Sequence, residues 1–265
     1  MPNCLSYDPT FAYEVAVIIQ DGLRRMYAEQ EDVYYYLTVM NENYQHPAMP
    51  EGAAPNILKG MYKLQEGQAG DGPRVQLMGS GVILRQVMAA ADLLAKDWGV
   101  QADLWSCPSF TQLARDGNAV TRWNTLHPAD APRKSHVQNC LAGTKGPVIV
   151  ATDYMRLFAE QIRALVTSAA GPPQGASPAP SGGSEAASAA GVGVHHRRYV
   201  VLGTDGFGRS DTREKLRYFF EVNPQYIAVA ALKALADDGT IPVAKVTEAI
   251  AKYGLDPEKP APWTV

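Results

Sequence analysis

The sequence predicts an α/β fold in two parts, and three observations support this prediction. Beyond Pro73, short apolar segments alternate with helical patterns, which is typical of a sheet with parallel strand pairs and helices on its faces. The first fifty residues contain one helical pattern followed by one aromatic and β-branched strand. Between these parts, residues 53–72 are rich in Pro, Gly, Gln and Glu, which is typical of a connector. We therefore predict an N-terminal α/β portion over residues 1–52, a connector over 53–72 and a second domain over 73–265.

The N-terminal portion contains a predicted helix over residues 8–27 and a predicted strand over 33–40. Asp8 suits the helix cap and Pro9 the first helical position. One helix and one strand do not make a core, and each large apolar side chain left exposed forgoes about 1.5–3 kcal/mol. We therefore expect this portion to be the remnant of a larger domain, with the missing sheet supplied by upstream sequence or by another chain.

The second domain is predicted to hold a mixed sheet flanked by helices. Its strands are predicted over residues 75–78, 103–106, 148–151 and 199–202, and its helices over 82–97, 109–115, 120–126, 154–166, 224–236 and 242–253, with one more from about Asp211. Residues 167–193 are almost wholly Ala, Gly, Pro and Ser, so they bury too little apolar surface to offset their conformational entropy. We predict that this tract is a disordered surface insertion.

Composition excludes several functional classes. The 265 residues carry a net charge of -3 and show no basic, aromatic-rich stretch, which argues against nucleic acid as a partner. The three cysteines, Cys4, Cys107 and Cys140, form no CxxC pair and indicate a reducing compartment, most simply a bacterial cytoplasm. No apolar run approaches the roughly 18 residues needed to cross a bilayer, so we predict no membrane partner.

The predicted strand over residues 33–40 ends in a polar cluster, and α/β sheets bind ligands at such strand ends. This segment reads Asn-Glu-Asn-Tyr over residues 41–44 and Pro-Ala-Met-Pro-Glu-Gly over 47–52, and it resembles the homodimeric bacterial type of pyruvate dehydrogenase E1. The resemblance implies that Glu42, Gln45 and His46 contribute to an active site. Related enzymes can carry a histidine immediately after the Asn-Glu-Asn-Tyr run, where Gln45 stands here. Either a local shift brings His46 to the site, or Gln45 makes a hydrogen bond in its place.

Two segments of the second domain carry a further resemblance. Residues 106–110, Ser-Cys-Pro-Ser-Phe, and the segment 203–210, with Gly203, Asp205, Gly208 and Ser210, are similar to the transketolase C-terminal domain. In that family this domain mainly supports the dimer. The resemblance implies a fold for residues 73–265 like that of the transketolase C-terminal domain.

Together these resemblances imply that the chain is the carboxyl-terminal third of an E1 subunit and is inactive alone. Residues 1–52 would be the end of its pyrimidine-binding α/β domain, and residues 73–265 its whole C-terminal domain. The intact enzyme would decarboxylate pyruvate on thiamine diphosphate with Mg²⁺ and pass the two-carbon unit to a lipoyl group on E2. It would act as a homodimer. The resemblance implies that the diphosphate and metal ligands lie in other parts of the enzyme, so we expect neither set in this chain.

Two other functions stay open at this stage. The chain could be a stand-alone interaction or dimerisation module without catalytic activity. Alternatively, the glycine-rich loop over residues 203–208 could bind an anion or a nucleotide, although a structural turn also explains it. His127, His136 and the pair at 195–196 form no metal-binding pattern, and turn and cap roles explain Asp205 and Asp211.

Overall fold

The computed structural model describes residues 1–167 and 197–265, which form two sheets. The strands are β1 (Cys4–Tyr7), β2 (Tyr34–Leu37), β3 (Tyr62–Gln65), β4 (Arg74–Gly79), β5 (Gln101–Ser106), β6 (Val148–Ala151) and β7 (Tyr199–Leu202). The helices are α1 (Ala12–Leu23), α2 (Ala54–Lys59), α3 (Leu84–Trp98), α4 (Phe110–Leu126), α5 (His136–Leu141), α6 (Arg156–Glu160), α7 (Arg213–Phe219), α8 (Pro224–Asp237) and α9 (Ala244–Lys252).

The larger sheet has the order β3-β5-β4-β6-β7, and only β3 runs antiparallel to its neighbour. Side chains on a strand alternate between the two faces of a sheet. In β4, Leu77 packs into the cluster formed with α3 and α8, whereas Met78 packs with Phe110 of α4 on the other face. This confirms the predicted mixed sheet flanked by helices.

The N-terminal portion contains a small sheet in which β1 and β2 run parallel. Strand β1 was not predicted. Its inner residues Leu5 and Tyr7 pack with Ile18 of α1 and with Ile57 of α2. On the outer surface, Ile19, Tyr36 and Val39 are 50%, 59% and 74% exposed. The N-terminal portion therefore has one face packed against the rest of the described chain and one uncovered apolar face.

Several predicted helices differ from the observed ones. Helix α1 begins at Ala12, because the Asp8 carboxylate does not cap it but accepts hydrogen bonds from the hydroxyls of Ser80 and Thr38. The predicted helices over 109–115 and 120–126 are one helix, α4. Gly117 lies inside α4, and the side chain of Leu165 packs against it. The predicted helix over 154–166 is reduced to α6 and a short 3₁₀ turn at Arg163–Leu165.

The predicted connector over residues 53–72 contains regular structure. It includes α2 and the edge strand β3, which pairs with β5 of the larger sheet. The division of the chain at residues 52 and 73 stays a prediction. The predicted insertion over 167–193 lies, from residue 168 onward, outside the described residues. Among the helices of the described ranges, none is long and apolar enough to cross a membrane.

Candidate functional site

Glu42 follows β2 and faces three arginines of the second part of the chain. Its carboxylate accepts a hydrogen bond from Arg85 at 2.8 Å and one from Arg217 at 3.4 Å, and the Nε atom of Arg213 lies at 4.0 Å. The hydrogen bond from Arg85 is the main cause that lowers the pKa of Glu42, and the charge of Arg217 adds to it. Glu42 is therefore held ionised between the two parts of the chain.

We expect Glu42→Gln to lower the free energy of unfolding by about 1 kcal/mol at neutral pH. The pKa of Glu42 is lower in the folded chain, so its ionisation stabilises the fold above the ordinary pKa of glutamate. This contribution should shrink as the pH falls below the ordinary glutamate pKa of about 4.3, and it is lost as the pH passes the lower pKa of the folded chain. Urea unfolding of both proteins at pH 7 and pH 3.5 measures the difference. The control is Glu248→Gln, at an exposed position of α9. An equal difference at both pH values would contradict the ion pair.

His46 is exposed and is held by the start of α1. Its Nδ1 atom accepts a hydrogen bond of 3.0 Å from the backbone N–H of Ala12. Its ring stacks on Tyr44, with centroids 4.5 Å apart, and meets the ring of Phe11 edge-on at 6.2 Å. Because Nδ1 accepts, the neutral ring carries its proton on Nε2. His46 can therefore offer an N–H donor to a ligand.

Gln45 lies beside His46 and is also exposed. Both side chains line a cavity of 450 Å³, together with Arg85 of α3 and Asp92. Glu42 lines a different cavity of 770 Å³. Arg85 connects the two cavities, because its guanidinium binds Glu42 and lies 4.3 Å from the ring centroid of Tyr44. The structure thus brings Gln45 and His46 together and places Glu42 in the neighbouring cleft. Their catalytic roles stay a prediction.

Glu14 is a buried polar centre that sequence reasoning missed. Its carboxylate is fully buried and accepts hydrogen bonds from Tyr62 and Ser106, both at 2.6 Å, and from the backbone N–H groups of Thr10 and Phe11. Burial raises the pKa of Glu14, and these hydrogen bonds oppose that effect. A signal was present, because Glu14 is three residues from Phe11 and four from Ile18, on the buried face of α1.

The Glu14 network also supports the segment that carries His46. Glu14 fixes the backbone of Thr10 and Phe11 at the start of α1. The Tyr44 hydroxyl donates a hydrogen bond to the carbonyl oxygen of Thr10. Two residues after Thr10, the backbone N–H of Ala12 donates to the Nδ1 atom of His46. The position of the His46 ring therefore depends on the buried carboxylate of Glu14.

Other predicted polar residues have structural partners. His127 and His136 form hydrogen bonds with the backbone carbonyl oxygens of Trp123 and Met61. Asp205 accepts hydrogen bonds from Arg156, and Asp211 accepts one from the backbone of Thr212. Among residues 1–167 and 197–265, no three His, Cys, Asp or Glu side chains form a group that could hold a metal ion. The pair at 195–196 lies outside the described residues.

The mixed sheet and its flanking helices define a class of domain. Residues 60–223 match the family model of the transketolase-like TK C-terminal domain, and the chain belongs to that family. Residues 1–47 match the model of the pyruvate dehydrogenase E1 component middle domain. The matched curated relatives include bacterial pyruvate dehydrogenase E1 components, and the resemblance identified from the sequence is confirmed.

Three relatives show the extent of the match. The chain is 60% identical over 266 residues to the pyruvate dehydrogenase E1 component of Cupriavidus necator, 54% identical over 262 residues to that of Pseudomonas aeruginosa, and 50% identical over 263 residues to that of Escherichia coli. These matches cover 99–100% of this chain and 26% of each relative. The chain thus spans about a quarter of the length of these relatives.

Solved structures support the fold. A transketolase from Campylobacter jejuni matches with a TM-score of 0.53 and 15% identity, over 88% of this chain and 26% of its own. A transketolase from Pichia stipitis in complex with sedoheptulose 7-phosphate matches with a TM-score of 0.51 and 14% identity, over 88% of this chain and 25% of its own. At such identities the likeness concerns the fold alone.

Proposed function

We propose that this chain acts as the carboxyl-terminal part of a thiamine-diphosphate-dependent pyruvate dehydrogenase E1 component. The observation that carries this proposal is the 60% identity with an E1 component along the whole chain. The order of the two family matches supports it, since the middle-domain match precedes the C-terminal-domain match. The reaction would be the oxidative decarboxylation of pyruvate with transfer of the acetyl group to a lipoyl group on E2.

His46 is the residue that we propose to act on the substrate. Its ring is fixed by Ala12 and Tyr44, and its Nε2–H is free to donate a hydrogen bond or a proton to a substrate oxygen. Gln45, in the same cavity, would donate a hydrogen bond through its amide. Glu42 would act indirectly, because its ion pairs with Arg85 and Arg217 hold this segment against the second part of the chain.

Thiamine diphosphate, when bound, supplies the carbanion stabilisation that the reaction needs. The described residues contain no group of acidic or histidine side chains that fits its metal ion, so we propose that the diphosphate and Mg²⁺ ligands come from other parts of the E1 subunit. The proposed partners are a second E1 subunit, lipoyl-bearing E2 and pyruvate, and the proposed location is the bacterial cytoplasm. The uncovered apolar face with Ile19, Tyr36 and Val39 would then pack against the remainder of the middle domain.

A chimaera tests the proposal. Residues 1–265 of this chain replace the matching segment of the Escherichia coli relative, to which they are 50% identical. We expect the chimaera to retain pyruvate decarboxylation that depends on thiamine diphosphate. A dimeric, folded chimaera that binds thiamine diphosphate but does not decarboxylate pyruvate would contradict the proposal.

Substitutions in the chimaera assign the roles of the two neighbouring residues. If His46 transfers a proton, His46→Ala should lower kcat by about 10²–10⁴-fold with little change in KM, and Gln45→Ala should lower it by about 10-fold or less. The pH profile of kcat should also lose one limb in His46→Ala only. His127→Ala is the matched control, because His127 is exposed and its ring stacks on Trp123 of α4, away from His46. The opposite order of effects would assign the role to Gln45.

A further inference from the structure

We propose that the cleft beside Glu42 binds an organic anion that has a carboxylate or phosphate head and an apolar body. This arginine cleft has a volume of 770 Å³, which is within the usual range for small-molecule sites. It lies between the loop at residues 203–209, helix α7 and residues 39–42. Its charged lining residues are Glu42, Asp153, Arg209, Arg213 and Arg217.

The arginine cleft carries a cluster of positive charge. Arg209, Arg213 and Arg217 follow each other at intervals of four residues and all line it. Like charges at this spacing on a helix, such as Arg213 and Arg217, destabilise it. Glu42 offsets only part of this charge, since it is also bound from outside the cleft by Arg85. A bound anion would compensate the remaining positive charge.

The acidic side chains that line the cleft do not balance its arginines. Asp205 lies in the loop but does not line the cleft, because its carboxylate binds the Nε atom and backbone N–H of Arg156. Asp153 does line the cleft. Asp153 and Glu42 are the two acidic side chains among its lining residues, and they stand against three arginines. The cleft therefore keeps a positive excess at neutral pH.

The shape of the loop at residues 203–209 leaves room for a ligand. Gly206 has a φ of +117°, and a Cβ atom there would lie 2.5 Å from the carbonyl oxygen of Pro262. The C-terminal segment thus fixes the loop from outside. Gly206 and Gly208 place no side chain in the cleft, which leaves space in front of the arginines. The loop that the sequence singled out is a wall of this cleft.

The walls of the cleft combine an apolar surface with charged donors. Leu216, Phe220 and Val222 give the cleft an apolar side. Arg213 is 56% exposed, and although its Nη2 atom donates to Asn41, its planar guanidinium has further N–H donors for a carboxylate or phosphate. Arg209 packs its guanidinium 4.8 Å from the ring centroid of Phe219, which orients it. A ligand with both an anionic head and an apolar body matches these two surfaces.

The test uses the 265-residue chain and calorimetric titration at low ionic strength. The probes are phenyl phosphate, benzoate, inorganic phosphate and benzyl alcohol. Because the titration measures binding alone, its result does not depend on the proposed E1 activity. We expect phenyl phosphate or benzoate to bind with a Kd below about 1 mM, at least 10-fold more tightly than benzyl alcohol and inorganic phosphate. The tighter of the two anions identifies the head group.

Variants assign the binding to this cleft. Arg213→Gln and Arg209→Gln should each weaken binding by about 10-fold or more, because each removes a charge-assisted donor. Arg122→Gln removes one positive charge from an exposed position of α4 and should leave the Kd unchanged. If neither organic anion binds at 10 mM, the proposal is overturned, because this concentration is on the order of ten times the expected Kd. Equal effects of all three variants, or inorganic phosphate binding as tightly as phenyl phosphate, would also overturn it.

Discussion

Glu14→Ala is expected to lower the free energy of unfolding by about 3–5 kcal/mol. The Glu14 carboxylate is fully buried and accepts four hydrogen bonds, from the hydroxyls of Tyr62 and Ser106 and from the backbone N–H groups of Thr10 and Phe11. Alanine would leave all four donors without their acceptor. It would also leave empty the space that the carboxylate fills. Each buried donor without a partner costs about 1–3 kcal/mol, and relaxation of the two hydroxyls reduces the total.

Urea unfolding of the wild-type and Glu14→Ala chains measures this effect. Glu248→Ala, at an exposed position of α9, is the matched control and should change the free energy of unfolding by less than about 0.5 kcal/mol. Glu14→Gln should give an intermediate loss of unfolding free energy. The glutamine amide oxygen can still accept hydrogen bonds, but its amide nitrogen cannot accept from the two donors that it would face. The NMR signal of the His46 ring should shift in Glu14→Ala, since the start of α1 holds that ring. A loss below 1 kcal/mol would contradict the central role of Glu14.

The second part of the chain was predictable because its strands carry a strong local signal. Strand β6 reads Val-Ile-Val-Ala and is buried along its whole length, as expected for a strand covered by helices on both faces. The termini of α3 and α8 were also readable, since Gly99 ends the first with a φ of +66° and Asn223 caps the second. Local rules suffice where one residue decides the geometry.

The errors arose where tertiary contacts override local preference. Asp8 before Pro9 has the form of a helix start, but Asp8 instead binds Ser80, which is 72 residues away. Strand β1 has only four residues, and its pairing with β2 cannot be read from its own pattern. The six-residue helix α5 was also missed, although Ser135 and Gln138 form a capping box that was visible in the sequence.

In the candidate site, the sequence likewise identified the residues of a local motif but not their distant partners. The sequence located Glu42, Gln45 and His46 by their motif, and these residues do lie where the two parts of the chain meet. Their partners could not be predicted, because Arg85 and Arg217 are 43 and 175 residues from Glu42. The separation of Glu42 from His46 into two cavities also follows from long-range packing, since residues four apart on a strand-like segment would share a face.

Gly146→Ala should be the most damaging single methyl addition in the loop before β6, with an expected loss of about 3–5 kcal/mol. Gly146 has a φ of +79°, which alone costs an alanine about 1–2 kcal/mol. A Cβ atom there would also lie 1.7 Å from the carbonyl oxygen of Arg74. That oxygen belongs to the backbone at the start of β4, so relieving the contact requires either β4 or the loop that leads into β6 to move.

Gly143 in the same loop separates the two causes. Its φ is +74°, close to that of Gly146, but a Cβ atom would meet nothing within 4 Å. Gly143→Ala should therefore cost only the backbone term of about 1–2 kcal/mol. The difference between the two variants in urea unfolding isolates the clash with β4. Equal losses would mean that the loop moves away from β4 at little cost, and that the pairing of Gln76 with Val148 does not depend on the close approach of Gly146.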